Sequence, residues 1–406
     1  MAWHSAAGAQ GNPEAKAIIK QLSPEERKKF DSMNRQQKQA FIRKKLEEKK
    51  SGGSSEKPAQ TRAKKESKQP ASSGATASAG WQGPMIDAHS QAGCDVRAEE
   101  VRAAITKNGM THTLLSGRGC RGEGASATHE RVLDLVESLG GRASFLISMK
   151  LEGMSMMEGR FTRQGLAAIN QADKAHFANA VGFAEIIVQH APHVTQRLKH
   201  EGVALDLGSE RIAGAIAVVL ARKVPVILHV ELNDSEDKSQ LILRQLKELL
   251  TKNPDNPFVL IHMGQASVEE ARDLIENHAN IHFLTTASDA ISAAGVTSLR
   301  RKGESAQSGW INMFNDPPEG APYKGWIQEF VPSLRWRDDW KALIEAHPDR
   351  FVFAMERVFA NHWNKHYVSA LKYWRAALAK LSPETARRVA CGNARRLWRL
   401  DVDCGG

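Results

Sequence analysis

The chain has 406 residues, enough for one large barrel or two ordinary domains. Its net charge of +10 is concentrated at the front: residues 1–80 hold 17 of the 56 basic and 8 of the 46 acidic residues, so the remainder is close to neutral and the charge says little about a ligand of the globular part. No apolar run reaches the roughly 18 residues of a membrane span, and Cys94, Cys120, Cys391 and Cys404 lack CxxC spacing and are too few for a disulfide scaffold.

Ala7-Gly8-Ala9 before Gln10 resembles the small-residue end of a secretory signal, but the basic and apolar regions that precede such a site are missing. The expectation is a cytoplasmic protein, with export to the periplasm requiring a leader upstream of Gln10. Residues 1–50 read as a basic helical segment. Ser23-Pro24-Glu25-Glu26 supplies a cap, a proline at the first position and acids in the first turn, while Phe30, Met33, Phe41, Ile42 and Leu46 make a thin apolar stripe. Residues 51–83 form a Ser, Gly, Ala, Lys and Pro-rich linker without the apolar surface needed to order itself. A solvated spacer is the simpler reading of residues 1–80; a tether to an acidic protein, nucleic acid or anionic lipid is the functional one.

From residue 84 onward apolar runs alternate with helical stretches such as Ser209 to Arg222 and Ser239 to Lys252. This implies a parallel sheet with helical crossovers, and the length fits an α/β, TIM-like (β/α)8 barrel of ~250 residues plus insertions. Three runs end in histidine: Met85 to His89, Val224 to His229, and Phe258 to His262. A fourth, Arg350 to Glu356, ends in a carboxylate, and Phe183 to Val188 carries Glu185. A continuous β-branched run reads as a strand buried on both faces, and a polar residue at its last position stands at the rim. Imidazole and carboxylate ends brought together make a metal site.

These segments carry a resemblance. Met85-Ile86-Asp87-Ala88-His89-Ser90-Gln91 is similar to the opening strand of the amidohydrolase superfamily: an apolar residue, Asp, any residue, His, any residue, His. The segments ending in His229 and His262 resemble its fifth and sixth strands. Glu356 stands where the family has an eighth-strand Asp, and Cys391 to Trp398 is similar to the closing helix of the amidohydrolase-related subgroup that contains decarboxylases and lactonases. The resemblance spans residues 84 to 400, leaving 401–406 as a tail. It implies one divalent metal, zinc first with manganese or iron as alternatives, held by His89, His229, Glu356, Glu185 and Gln91, with Glu356 and His262 in catalytic roles. Two departures stand out. Gln91 replaces the second histidine with a weaker, neutral amide ligand, and Glu356 is one methylene longer than Asp.

Arg118 and Arg121, in the loop after the second strand, and Arg160, after the third, are candidates for binding an anionic substrate, because guanidinium pairs bidentately with carboxylate or phosphate. The insertion from about Leu299 to Trp340 holds Trp310, Trp326, Trp336 and Trp340 and reads as a lid or partner surface. His362 and His366 stand four apart on a helix expected to begin at Asn361. The functional expectation is metal-dependent hydrolysis, or decarboxylation, of a small anionic organic molecule. The alternative is a catalytically degenerate barrel serving as a binding or scaffold subunit. Oligomeric state stays open, a homo-oligomer included.

Overall fold

The structure is a computed structural model that describes residues 22–23, 25–26, 30, 41, 45, 80–119, 124–149, 154–155, 160–161, 163–190, 193–194, 199–200, 203–232, 236–286, 313 and 336–405. It divides into two units, Met1–Gly74 and Ala75–Gly406. In the first, the expected helix start is present: Ser23 N donates to Glu26 Oε2 (3.0 Å) and Glu26 N donates to Ser23 Oγ (3.3 Å), a reciprocal cap. Lys45 pairs with Glu26 at 2.9 Å, and the rings of Phe30 and Phe41 lie 5.7 Å apart.

The second unit is built on parallel strands: β1 Ile86–Ala92, β2 His112–Gly117, β3 Ala143–Ile147, β4 in two pieces (Ala180–Phe183 and Ile186–Ile187), β5 Val226–His229, β6 Phe258–Leu260, β7 Ile281–Leu284 and β8 Phe351–Val352. Registers run Asp87↔Thr113, Leu115↔Phe145, Ile147↔Phe183, Leu228↔Ile186, Val226↔Phe258, Phe258↔Ile281 and Phe283↔Phe351. The interruption in β4 lets its first piece pair with β3 and its second with β5. The ring closes because Ala88 N donates to Phe353 O (3.1 Å), Glu356 N to His89 O (2.8 Å) and Gln91 N to Arg357 O (2.7 Å). The result is the expected (β/α)8 architecture.

Alternation along the strands explains the core. Leu114, Leu146, Ile227, Val259, Leu284 and Val352 form an inner cluster, while their neighbours Leu115, Phe145, Leu228, Phe258, Phe283 and Phe351 pack with the surrounding helices. This two-faced burial is why the runs are continuously apolar rather than alternating. The outer helices carry ordinary start signals. In α4 (Glu210–Ala221; α1 to α3 are Ala98–Lys107, Ala125–Ser138 and Arg163–His176) the Ser209 side chain accepts from Ile212 N, and Ile212, Ala215, Ile216 and Val219 face inward at helical spacing. After α5 (Glu236–Lys252), α6 (Val268–Asn277) begins with a capping box between Ser267 and Glu270.

Three expectations need correction. Trp336 and Trp340 are not part of a lid: Trp336 donates to Ala377 O (2.8 Å) and Trp340 is buried in α7 (Asp338–Ala346). Trp310, Trp326 and most of that insertion lie outside the described residues. The expected helix from Asn361 is instead two, α8 (Ala360–Asn364) and α9 (Tyr367–Leu378), with His366 as the cap residue of the second. The cysteines also do more than their number suggested. Cys391 and Cys404 are joined, and Cys94 is disulfide-bonded as well.

Beyond α10 (Pro383–Arg387), α11 (Asn393–Trp398) and the tail residues Leu400 and Cys404 join the inner cluster beside Ile86 and Val181, which stand near the starts of β1 and β4. This segment plugs that end of the barrel, and the disulfide pins it. Among the described residues no helix is long and apolar enough to cross a membrane.

Candidate metal centre

Polar side chains collect at the opposite end, where the strands finish. Between Asp87 and Ser90 the pairing of β1 with β2 is irregular, and here Asp87 turns into a bracket for the end of β8. Its carboxylate accepts from Met355 N (2.8 Å) and Ser90 Oγ (2.5 Å), and Ser90 Oγ in turn accepts from Arg357 N (2.9 Å). Burial raises the Asp87 carboxyl above its ordinary value, with these hydrogen bonds opposing. Glu356, between the two bracketed amides, adopts φ 49°. At the end of β6, His262, Met263, Gly264 and Gln265 all have positive φ, between 45° and 65°. Left-handed backbone costs on the order of 1 kcal/mol or more for a residue with a Cβ, and such strain concentrates at functional sites. Gly264 has a second constraint, since a Cβ there would lie 2.8 Å from Leu260 Cδ1.

His89, Glu185 and Glu356 each offer a ligand atom, all within 4.8 Å of one another. Glu185 sits in the break between the two pieces of β4 and acts as a hub. Its Oε2 accepts from His229 Nδ1 (2.6 Å), its Oε1 accepts from Gln91 Nε2 (3.2 Å), and His89 Nε2 lies 3.7 Å from that same oxygen. Gln91 Nε2 also donates to Glu356 Oε1 (3.4 Å), so one amide bridges two carboxylates. Both ring nitrogens of fully buried His89, and Gln91 Oε1, are without a hydrogen-bond partner. An unpaired buried polar group costs about 1–3 kcal/mol. A divalent cation on His89, Glu185 and Glu356 would take a histidine lone pair and neutralise the carboxylates, so the donor set fits one.

His229 is held on both sides, since Nε2 donates to Glu231 Oε1 at 3.1 Å. Burial works against charge on this ring, but the two carboxylates prevail and raise it to about 9. His262 shows the reverse. Burial lowers it and the neighbouring His229 ring, 4.7 Å away edge-on, adds to that, with Glu356 opposing. Its Nδ1 lies 3.1 Å from Thr286 O, which assigns the ring proton to that nitrogen and leaves Nε2 facing Glu356 Oε2 at 3.6 Å.

The expected residues His89, Gln91, Glu185, His229, His262 and Glu356 therefore converge, with His229 held between two carboxylates rather than inside the grouped trio. Arg118 is half-buried, its guanidinium 4.8 Å from the Phe359 ring. Arg121 lies outside the described residues. Arg160 belongs to a two-residue strand paired with Met154–Ser155, its side chain outside the description. Sequence reasoning missed Glu231 and Thr286. The signal for Glu231 was its place two residues past His229, the spacing that returns a strand to the same face.

A family model described as amidohydrolase matches residues 180–400. No curated protein matches the chain. Among solved structures, an amidohydrolase from Burkholderia multivorans with bound zinc aligns at 12% identity and a TM-score of 0.43, over 78% of this chain and 99% of that one. An uncharacterized TIM-barrel protein from Bordetella bronchiseptica aligns at 11% and 0.45, over 78% and 99%. A dihydroorotase from Saccharomyces cerevisiae, in complex with 5-fluoroorotic acid, aligns at 13% and 0.43, over 79% and 85%.

Proposed function

The chain belongs to the amidohydrolase family, and from that premise we propose that it is a metal-dependent hydrolase acting on a small anionic organic substrate. The observation that carries the reading is the trio His89, Glu185 and Glu356, the first two buried and the third half-buried, with the ring nitrogens of His89 unpaired. These three would hold the ion, with the Gln91 amide beside them. Bound there, a divalent cation, zinc first, lowers the pKa of a water and polarises a carbonyl.

The chain's own residues supply the rest. Glu356 is the general base. Its Oε2 faces His262 Nε2 at 3.6 Å, so a proton taken at the carboxylate has a neutral imidazole nitrogen as its next acceptor. Thr286 fixes that imidazole through Nδ1, and the left-handed backbone at His262 and Glu356 sets both groups at the rim. Arg118, braced on Phe359, is the candidate for the substrate's anionic group. Decarboxylation is the alternative reaction on the same residues.

The test is a panel of lactones, amides and carboxylic acids assayed with the metal-loaded full chain and with Glu356→Gln. The expected result is turnover of at least one class and a loss of about a hundredfold or more in the variant. Full activity of Glu356→Gln would overturn the reading.

One observation favours a second reading, a barrel that binds or scaffolds without catalysis. Gln91 and His229 already satisfy the carboxylates of Glu185 and Glu356 from within the chain. That reading predicts no stoichiometric metal after reconstitution, and it gives residues 1–80 the role of docking an acidic partner.

A further inference from the structure

Glu231 is a buried carboxylate in a site whose grouped donors already include two carboxylates, Glu185 and Glu356. It is 1% exposed and lies at the end of the run that carries His229. A buried carboxylate is costly unless paired. Glu231 accepts a hydrogen bond from His229 Nε2 at 3.1 Å. The other nitrogen of that ring, Nδ1, faces Glu185 Oε2 at 2.6 Å, on the side of the candidate donors. The His262 ring, 4.7 Å away and edge-on, walls the imidazole on a third side.

Resting on the metal-dependent reading above, we propose that Glu231 is a positioning residue. Its carboxylate holds Nε2–H of His229 and so keeps Nδ1 turned toward Glu185 and the candidate donors; a cation bound there would displace the Nδ1 proton to solvent, and the freed lone pair would make His229 a further donor beside His89, Glu185 and Glu356. A histidine that ligates through one nitrogen commonly donates its other N–H to a carboxylate, and loss of that partner typically costs about 10–100-fold in metal affinity. Removing the Glu231 carboxylate takes away the acceptor 3.1 Å from Nε2 and with it a restraint on the ring orientation that sets Nδ1 against Glu185. The hydrogen bond, more than the charge, is what the geometry requires, so a neutral acceptor of the same length should serve.

The experiment is calorimetric titration of zinc alone into the chelator-stripped full chain, for wild type, Glu231→Ala, Glu231→Gln and Glu231→Asp, with thermal melts to confirm folding. Wild type is expected to take about one equivalent. Glu231→Ala is expected to bind about 10–100-fold more weakly, and Glu231→Gln, whose amide oxygen still accepts from Nε2–H, to stay within about threefold of wild type. If Glu231→Ala does not fold, Glu231→Asp, one methylene short of the ring, is expected to weaken binding by about tenfold. Long-range 15N correlations of histidine-labelled, zinc-loaded protein should show His229 protonated at Nε2 in wild type and Glu231→Gln. Wild-type affinity in Glu231→Ala or Glu231→Asp, or equal weakening in Glu231→Ala and Glu231→Gln, would overturn the proposal while leaving the metal-dependent reading intact. Absence of zinc binding by wild type would overturn both.

Discussion

Lowering the pH from about 7 to 5 should destabilise the barrel through His129. This residue is fully buried on α2, where its Nε2 accepts from Ser148 N at 3.2 Å and its ring packs edge-on to Phe145 and to His176. Burial first, and then the charge of His176, lower it from 6.5 to about 4. The unfolded chain therefore takes up a proton as pH falls through 6.5, while the folded protein does not until about pH 4. Stability is complete above the unfolded value and is lost on acidification. Integrating between pH 7 and 5 gives a loss of about 2 kcal/mol from this one group. Urea denaturation followed by circular dichroism at both pH values, on wild type and His129→Gln, isolates it, because every other titrating group is shared. The glutamine variant starts less stable at pH 7, with altered packing, but should lose about 2 kcal/mol less on acidification. Equal losses in the two proteins would refute the reasoning.

Replacing Gln91 by His should raise zinc affinity by about tenfold or more in a competition assay with a chromophoric chelator, because an imidazole is a better zinc ligand than the amide now bridging Glu185 and Glu356. Trp374→Ala should cost about 3–5 kcal/mol in denaturant unfolding, since the indole is fully buried and packs 5.5 Å from the ring of Phe353, which leads into the Glu356 turn. Removing the Cys391–Cys404 link with a double alanine variant should lower stability by about 3 kcal/mol under oxidising conditions, as expected for a short loop whose closure restrains the unfolded chain.

The neighbourhood of the strand ends was legible because continuous apolar runs buried on both faces mark the strands, although only His229 is a strand's last residue: His89 lies inside β1, and His262 and Glu356 follow the ends of β6 and β8. His89, His229, His262 and Glu356 could thus be found by inspection, and their convergence required only the barrel. What remained hidden was pairing. Nothing in the order of residues shows that β4 would break at Glu185 and turn that carboxylate into the hub of the site, or that Glu231 would hold the far side of His229. Those facts depend on distances between strands remote in sequence. The same holds for Trp336 and Trp340, whose indoles read as lid material in a Pro-rich stretch until α7 and α9 provided partners for them. Cysteines without a recognisable spacing gave no sign that Cys404 in the tail would return to Cys391 and pin the plug of the barrel.

If the site works as proposed, His89, Glu185 and Glu356 hold a divalent cation. Metal content of the reconstituted, desalted full chain, measured by inductively coupled plasma mass spectrometry beside His89→Ala and Glu185→Ala, tests it most directly. About one equivalent is expected in wild type and little in either variant. Wild type without metal, or variants that retain a full equivalent, would contradict it.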